Sequence, residues 1–131
     1  MKYLEFLGEV QNRAHLSSPN EAERAVRATL QTLGRRLFGG EAEDLAAQLP
    51  REIAPYLTTA GAGEKLGLDE FIDSICRQEG VGPAEATKHA RAVFSVLKEA
   101  VSSGEIKDVR SQLPKEIAAF FGEEPGKGVM H

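Results

Sequence analysis

Gln48-Leu49-Pro50-Arg51-Glu52-Ile53-Ala54 returns 64 residues later as Gln112-Leu113-Pro114-Lys115-Glu116-Ile117-Ala118. Extending both copies aligns residues 19–57 with 83–121 without a gap, and 15 of the 39 aligned positions are identical. They include Pro19/Pro83, Glu21/Glu85, Ala22/Ala86, Arg27/Arg91, Leu33/Leu97 and the Gly-Glu-x-x-Asp runs that begin at Gly40 and Gly104. Such a repeat marks one supersecondary unit duplicated and packed against its copy.

The periodicity around the repeat is helical. Phe6, Leu7, Val10 and Ala14 form one apolar stripe over residues 3–14, answered by Phe71, Ile72, Ile75 and Cys76 over 68–79. This pair is offset by 65, so the first copy carries one extra residue in the next turn. Ser18 then caps a helix opened by Pro19, with Glu21 at the capping-box position, and Gly82, Pro83 and Glu85 open its twin. Ala22, Val26, Leu30, Leu33 and Leu37, and Ala86, Ala90, Phe94, Leu97 and Val101, make both helices long and amphipathic. Gly39-Gly40 and Ser102-Ser103-Gly104 end them. Shorter helices are expected over Glu41–Gln48 and Glu105–Gln112, the first with an acidic start (Glu41, Glu43, Asp44) that suits a helix N-terminus. Pro50 and Pro114 then open new short helices, reaching Leu57 and Phe121.

No strand pattern competes. The expected fold is an all-α bundle of two homologous multi-helix repeats in a pseudo-two-fold relation: residues 1–60, a linker at 61–63, residues 64–122, and a fraying tail at 123–131. Halves of about 60 residues could each fold alone only marginally, because small units bury too little surface, so one shared core is expected.

Composition narrows the function classes. With 41% hydrophobic and 27% charged residues the chain is an ordinary globular one. Net charge is −4: residues 1–61 hold 7 basic and 8 acidic side chains, and residues 62–131 hold 9 and 12. Neither half is a basic module, which argues against general phosphate-backbone binding. A weaker nucleic-acid reading rests on Arg24, Arg27, Arg35 and Arg36. A single cysteine, Cys76, excludes an internal disulfide and sits on an apolar stripe as a small hydrophobe. Glu5 and Glu9 interrupt the N-terminal apolar run, and no stretch has the roughly 20 apolar residues of a membrane span, so a cytoplasmic chain is expected.

The repeated Gln-Leu-Pro-x-Glu-Ile motif behind a capped Glu-Ala helix resembles the bacterial family catalogued as domain of unknown function 2267. The resemblance covers about residues 3–121 and rests on Glu85-Ala86, Arg91-Ala92, Leu97 and Gln112 to Glu116, with their first-copy equivalents. It implies a helical fold of two similar halves. It implies no activity, cofactor or catalytic residue.

Chemistry-bearing constellations are sparse. Glu85 and His89 share a helix face, half of a metal site, but position 25 holds alanine in the first copy. His89 is therefore read as a surface histidine beside a carboxylate, and neither metal nor cofactor residues are assigned. No Gly-x-Ser-x-Gly elbow or phosphate-binding glycine loop is present. The polar pairs Arg27/Arg91, Arg24/Lys88, Gln48/Gln112 and Glu52/Glu116 recur in both copies. They either hold the local motif, with Gln48 capping the helix at Pro50 and Glu52 bridging to Arg27, or form two equivalent faces for a partner. The leading expectation is a non-enzymatic module that binds a protein partner or its own copy. The alternative is a small-molecule or regulatory site in the seam between the long helices, lined by Thr29, Gln31 and Thr32 on one side and Val93, Ser95 and Val96 on the other.

Overall fold

The computed structural model describes residues 1–122. Among them all regular structure is helical: α1 (Tyr3–Arg13), α2 (Pro19–Arg36), α3 (Glu41–Ala46), α4 (Ala54–Thr58), α5 (Leu68–Glu79), α6 (Pro83–Ala100), α7 (Ser103–Ser111), α8 (Lys115–Ala118) and a 3-10 turn at Ala119–Phe121. The tail expected at 123–131 lies outside the described residues.

The long helices start where their caps demand. Ser18 Oγ accepts from the Glu21 N–H at 3.2 Å, and Pro19 occupies the first turn. The Glu21 carboxylate reaches Ser17, accepting from its N–H at 3.2 Å and its hydroxyl at 2.8 Å, so the reciprocal half of the box sits one residue early. The turn before α2 contains His15 at φ 55°, and Gly80 holds the corresponding place before α6 at φ 72°. Glycine takes that left-handed conformation without a Cβ penalty, and histidine does not.

α2 packs on α1, α4, α5 and α6; α6 also packs on α1, α5 and the 3-10 turn; α3 lies against α4 and α7. The buried faces form one continuous core around Phe6, Leu30, Leu33, Leu37, Phe71, Phe94 and Leu97, each with no exposed surface. Phe94 makes edge-on contacts with Phe71 (6.0 Å between centroids) and Phe120 (5.6 Å), and a tilted one with Phe121 (4.6 Å). A Cβ on Gly34 would lie 2.0 Å from the Leu57 carbonyl oxygen, so the α2 backbone touches α4 directly.

Two helix starts depart from expectation: α7 opens at Ser103, with Ser102 as its N-cap, and not at Glu105, and the segment at Pro50 opens late. Residues 50–53 form a turn closed by Ile53 N–H to Pro50 O at 3.1 Å, and α4 starts only at Ala54. Pro55 is the cause. A helix begun at Pro50 would carry it past the first turn, where its missing N–H and ring clash are not tolerated. Ala119 stands at the equivalent place in the second copy, and there the chain runs helically from Lys115 into the 3-10 turn. Among the described residues no helix is long and apolar enough to cross a membrane.

Candidate functional site

α5 carries two faces. Phe71, Ile72, Ser74 and Ile75 turn inward, while Asp69, Asp73 and Cys76 recur at helical spacing on the flank toward α6. Across from them α6 presents Pro83, Thr87 and Arg91, four residues apart, and the C-terminal segment supplies Glu116 and Phe120. The result is an open groove of about 820 Å³ with a floor of Leu68, Ile72, Pro83 and Phe120. The Arg91 guanidinium lies 4.8 Å from the Phe120 ring centroid, where the ring face attracts a cation. The Thr87 hydroxyl donates to Pro83 O at 2.8 Å. Four acids (Asp69, Glu70, Asp73, Glu116) against one base (Arg91) leave the lining at −3. Cys76 is half-buried: it packs against the core as a small hydrophobe and also lines this groove.

Two residues singled out in the sequence, Arg91 and Glu116, thus meet in one site. Arg24 and Lys88 lie exposed on the outer sides of α2 and α6. Arg27 pairs with Glu23 at 2.9 Å instead of bridging to the exposed Glu52. Glu23 also accepts from the Tyr56 hydroxyl, and that bond together with burial pushes the Tyr56 phenol up to about 12. Arg35 and Arg36 turn to internal partners. Arg35 grips both oxygens of Glu64 (2.8 and 2.9 Å) and donates to Ser74 (2.9 Å), and Arg36 donates to Leu66 O at 3.1 Å. They are not available to follow a phosphate backbone.

The glutamines act over a distance that sequence does not show. Gln48 accepts from Ser102 N–H at 2.8 Å and donates to the Ser102 hydroxyl at 3.3 Å. Gln112 accepts from Phe38 N–H at 3.0 Å and donates to Phe38 O at 3.1 Å. Neither caps the helix after its own Leu-Pro. His89 is also corrected from surface to interior. It is 4% exposed, its Nδ1 lies 2.7 Å from Glu79 Oε1, and Glu85 stands 3.7 Å from its Nε2. Thr29, Thr32, Val93 and Val96, expected to line a seam pocket, have no exposed surface. Thr32 is closed off by bonds with Ala28 O (2.8 Å), Ser74 (2.9 Å) and Gln78 (3.1 Å).

A second polar cluster was missed. Glu41, Glu105 and Asp108 bring one oxygen each to within 4.8 Å of one another where α3 meets α7. Burial, then the neighbouring Glu41, pushes the Glu105 carboxyl up to about 7. The available signal was the Glu-x-x-Asp start shared by both short helices, Glu41 to Asp44 and Glu105 to Asp108.

No curated protein is significantly similar to the chain. Residues 3–120 match the model of the family described as uncharacterized conserved protein (DUF2267), and the chain belongs to that family.

Proposed function

We propose that the chain is a non-enzymatic interaction module whose acidic groove between α5, α6 and the C-terminal segment takes an apolar, basic segment of a protein partner. The observation that carries this reading is the groove itself: about 820 Å³, with Leu68, Ile72, Pro83 and Phe120 in its lining beside Asp69, Glu70, Asp73 and Glu116. Apolar burial supplies affinity and the charged rim selects and steers the partner.

In this reading the chain is built of two homologous halves, 1–60 and 64–122, that pack as one domain about a pseudo-two-fold axis. Reciprocity of contacts supports it. Gln48 pairs with Ser102 and Gln112 with Phe38, and each residue in one pair lies 64 positions from its counterpart in the other. Such exchange of i and j is what a two-fold interface produces. Arg27 and Glu52 hold the first-half positions equivalent to Arg91 and Glu116, but Tyr3, Glu23 and Tyr56 stand where Leu68, Thr87 and Phe120 line the groove. One partner site per chain follows.

The test is affinity capture from a lysate of the source organism, paired with native mass spectrometry, on the wild type and an Asp69→Lys/Asp73→Lys variant. Both aspartates are exposed, so the fold is retained. A stoichiometric partner held by the wild type and lost by the variant supports the reading. A partner held equally by both, or a wild type that captures nothing, overturns it.

A further inference from the structure

The α3–α7 contact brings together side chains that repel one another. Glu41 and Glu105 occupy aligned positions of the two copies, as do Asp44 and Asp108, and all four carboxylates act at this contact. Glu105 is 9% exposed, and its Oε2 is fully buried with no hydrogen-bond partner. The Oε2 of Glu41 is buried and unpartnered as well. Among the described residues no basic side chain forms an ion pair with any of the four. A carboxylate oxygen taken from water with nothing to accept from is strongly disfavoured, so buried charges are paired or ligate metals. Glu41 and Glu105 each give one oxygen to this acidic cluster and each hold a buried Oε2 without a partner, an arrangement that a bound cation relieves.

We infer that Glu41, Glu105 and Asp108 form a site for one hard divalent cation, which bridges α3 to α7. The donor chemistry selects the class: oxygen-only sets suit Ca²⁺, Mg²⁺ or Mn²⁺, not the softer metals that need sulfur or imidazole. The three oxygens lie within 4.8 Å of one another, so some point lies within about 2.8 Å of all three, a small side-chain shift from the roughly 2.4 Å of a Ca²⁺–oxygen bond. Asp108 is exposed, which leaves the open side for coordinating water. The site is separate from the groove: it uses α3 and α7, and none of its residues lines that groove.

Calorimetric titration of the chelator-stripped full chain with Ca²⁺, Mg²⁺ and Mn²⁺, one at a time, tests this, with thermal melting at each endpoint. The expected result is one saturable equivalent, a melting temperature that rises with cation concentration, and affinity reduced at least tenfold in Glu105→Gln. Asp108→Asn, at an exposed position, serves as the second variant and should weaken binding without touching the core. No saturable binding up to millimolar cation would overturn the site, because a shared proton would then satisfy the two glutamates. Binding at wild-type affinity in both variants would overturn it too, by assigning the uptake to the general acidic surface.

Discussion

Gly34 is the sharpest test of how the first half is packed. A Cβ added there lies 2.0 Å from the Leu57 carbonyl oxygen, 2.7 Å from its carbon and 2.9 Å from its Cα. All three are backbone atoms, so no side chain can rotate away. Restoring even a 3.0 Å approach requires α4 to withdraw from α2 by about 1 Å, which opens the contact around Leu33, Ile53 and Leu57, residues with no exposed surface. Overpacking of this kind costs about 1–3 kcal/mol, with rigid backbone at the upper end. Alanine recovers about 1 kcal/mol of helix propensity over glycine. The expected net loss for Gly34→Ala is about 2 kcal/mol, which lowers the melting temperature by roughly 8 °C in a chain of this size. Gly8→Ala is the matched control. Gly8 is exposed on α1, nothing lies within 4 Å of its added Cβ, and the same propensity term acts alone. That variant should gain up to about 1 kcal/mol. The assay is thermal unfolding followed by circular dichroism at 222 nm. A Gly34→Ala protein as stable as wild type would refute the close approach of α2 and α4.

Other expectations follow from individual contacts. Gln48→Ala and Gln112→Ala each remove two hydrogen bonds to a distant residue, Ser102 and Phe38, and urea unfolding should report a loss of about 1 kcal/mol apiece. A fall in one variant only would break the reciprocity. Ultraviolet titration of the two tyrosines should show one phenol with a midpoint near 12, and Tyr56→Phe should remove that transition and leave the Tyr3 one. In chelator, Glu105 gives a pH dependence of definite sign. Its folded value, about 7, is raised from an ordinary 4.5, so its contribution is fully present below about 4.5 and is lost as pH rises through 7. Glu105→Gln should therefore be more stable than wild type at pH 8, with the advantage shrinking on acidification toward pH 5. An unchanged difference between pH 5 and pH 8 would count against that assignment.

How much was legible beforehand depended on whether the information was local. α5 spans 68–79 as its apolar stripe requires, and α2 and α6 open at the prolines that follow Ser18 and Gly82. Capping and periodicity are properties of a few consecutive residues. The boundary at Pro50 was misjudged because a second proline five residues later overruled it. The side-chain roles were harder. Gln48 finds its partner 54 residues away and Gln112 its partner 74 away, and no pattern within either segment encodes that choice. Arg91 and Glu116 were singled out because they recur, but the groove they line depends on Phe120 and on the acidic flank of α5, which do not recur. The carboxylates of Glu41 and Glu105 look like ordinary helix-start acids until α3 and α7 are seen to touch.

The polar clasps between helices bear on why such a chain would keep its two halves different. On α2 and α5, Arg35 donates to Ser74 while Gln78 bonds Ser74 and Thr32. On α6 and α1 the aligned positions are recharged: Glu99 stands for Arg35, Arg13 for Gln78 and Glu9 for Ser74. Arg13 bonds Glu99 at 2.8 Å, Glu9 at 3.0 Å and Ser95 at 2.6 Å. Half-exposed ion pairs of this kind contribute at most about 1 kcal/mol each, so they add little to stability. Their effect lies in choice of partner. On the proposed two-fold, a first half docked on another first half would crowd Arg13 and Arg35 around the single carboxylate of Glu9. A second half docked on another second half would leave Glu99 without a guanidinium. Only the pairing of unlike halves satisfies both clasps, and penalties on the wrong pairings are how similar surfaces avoid exchanging partners. On that proposed two-fold, the charge exchange at positions 13, 35 and 99 favours the intramolecular pairing.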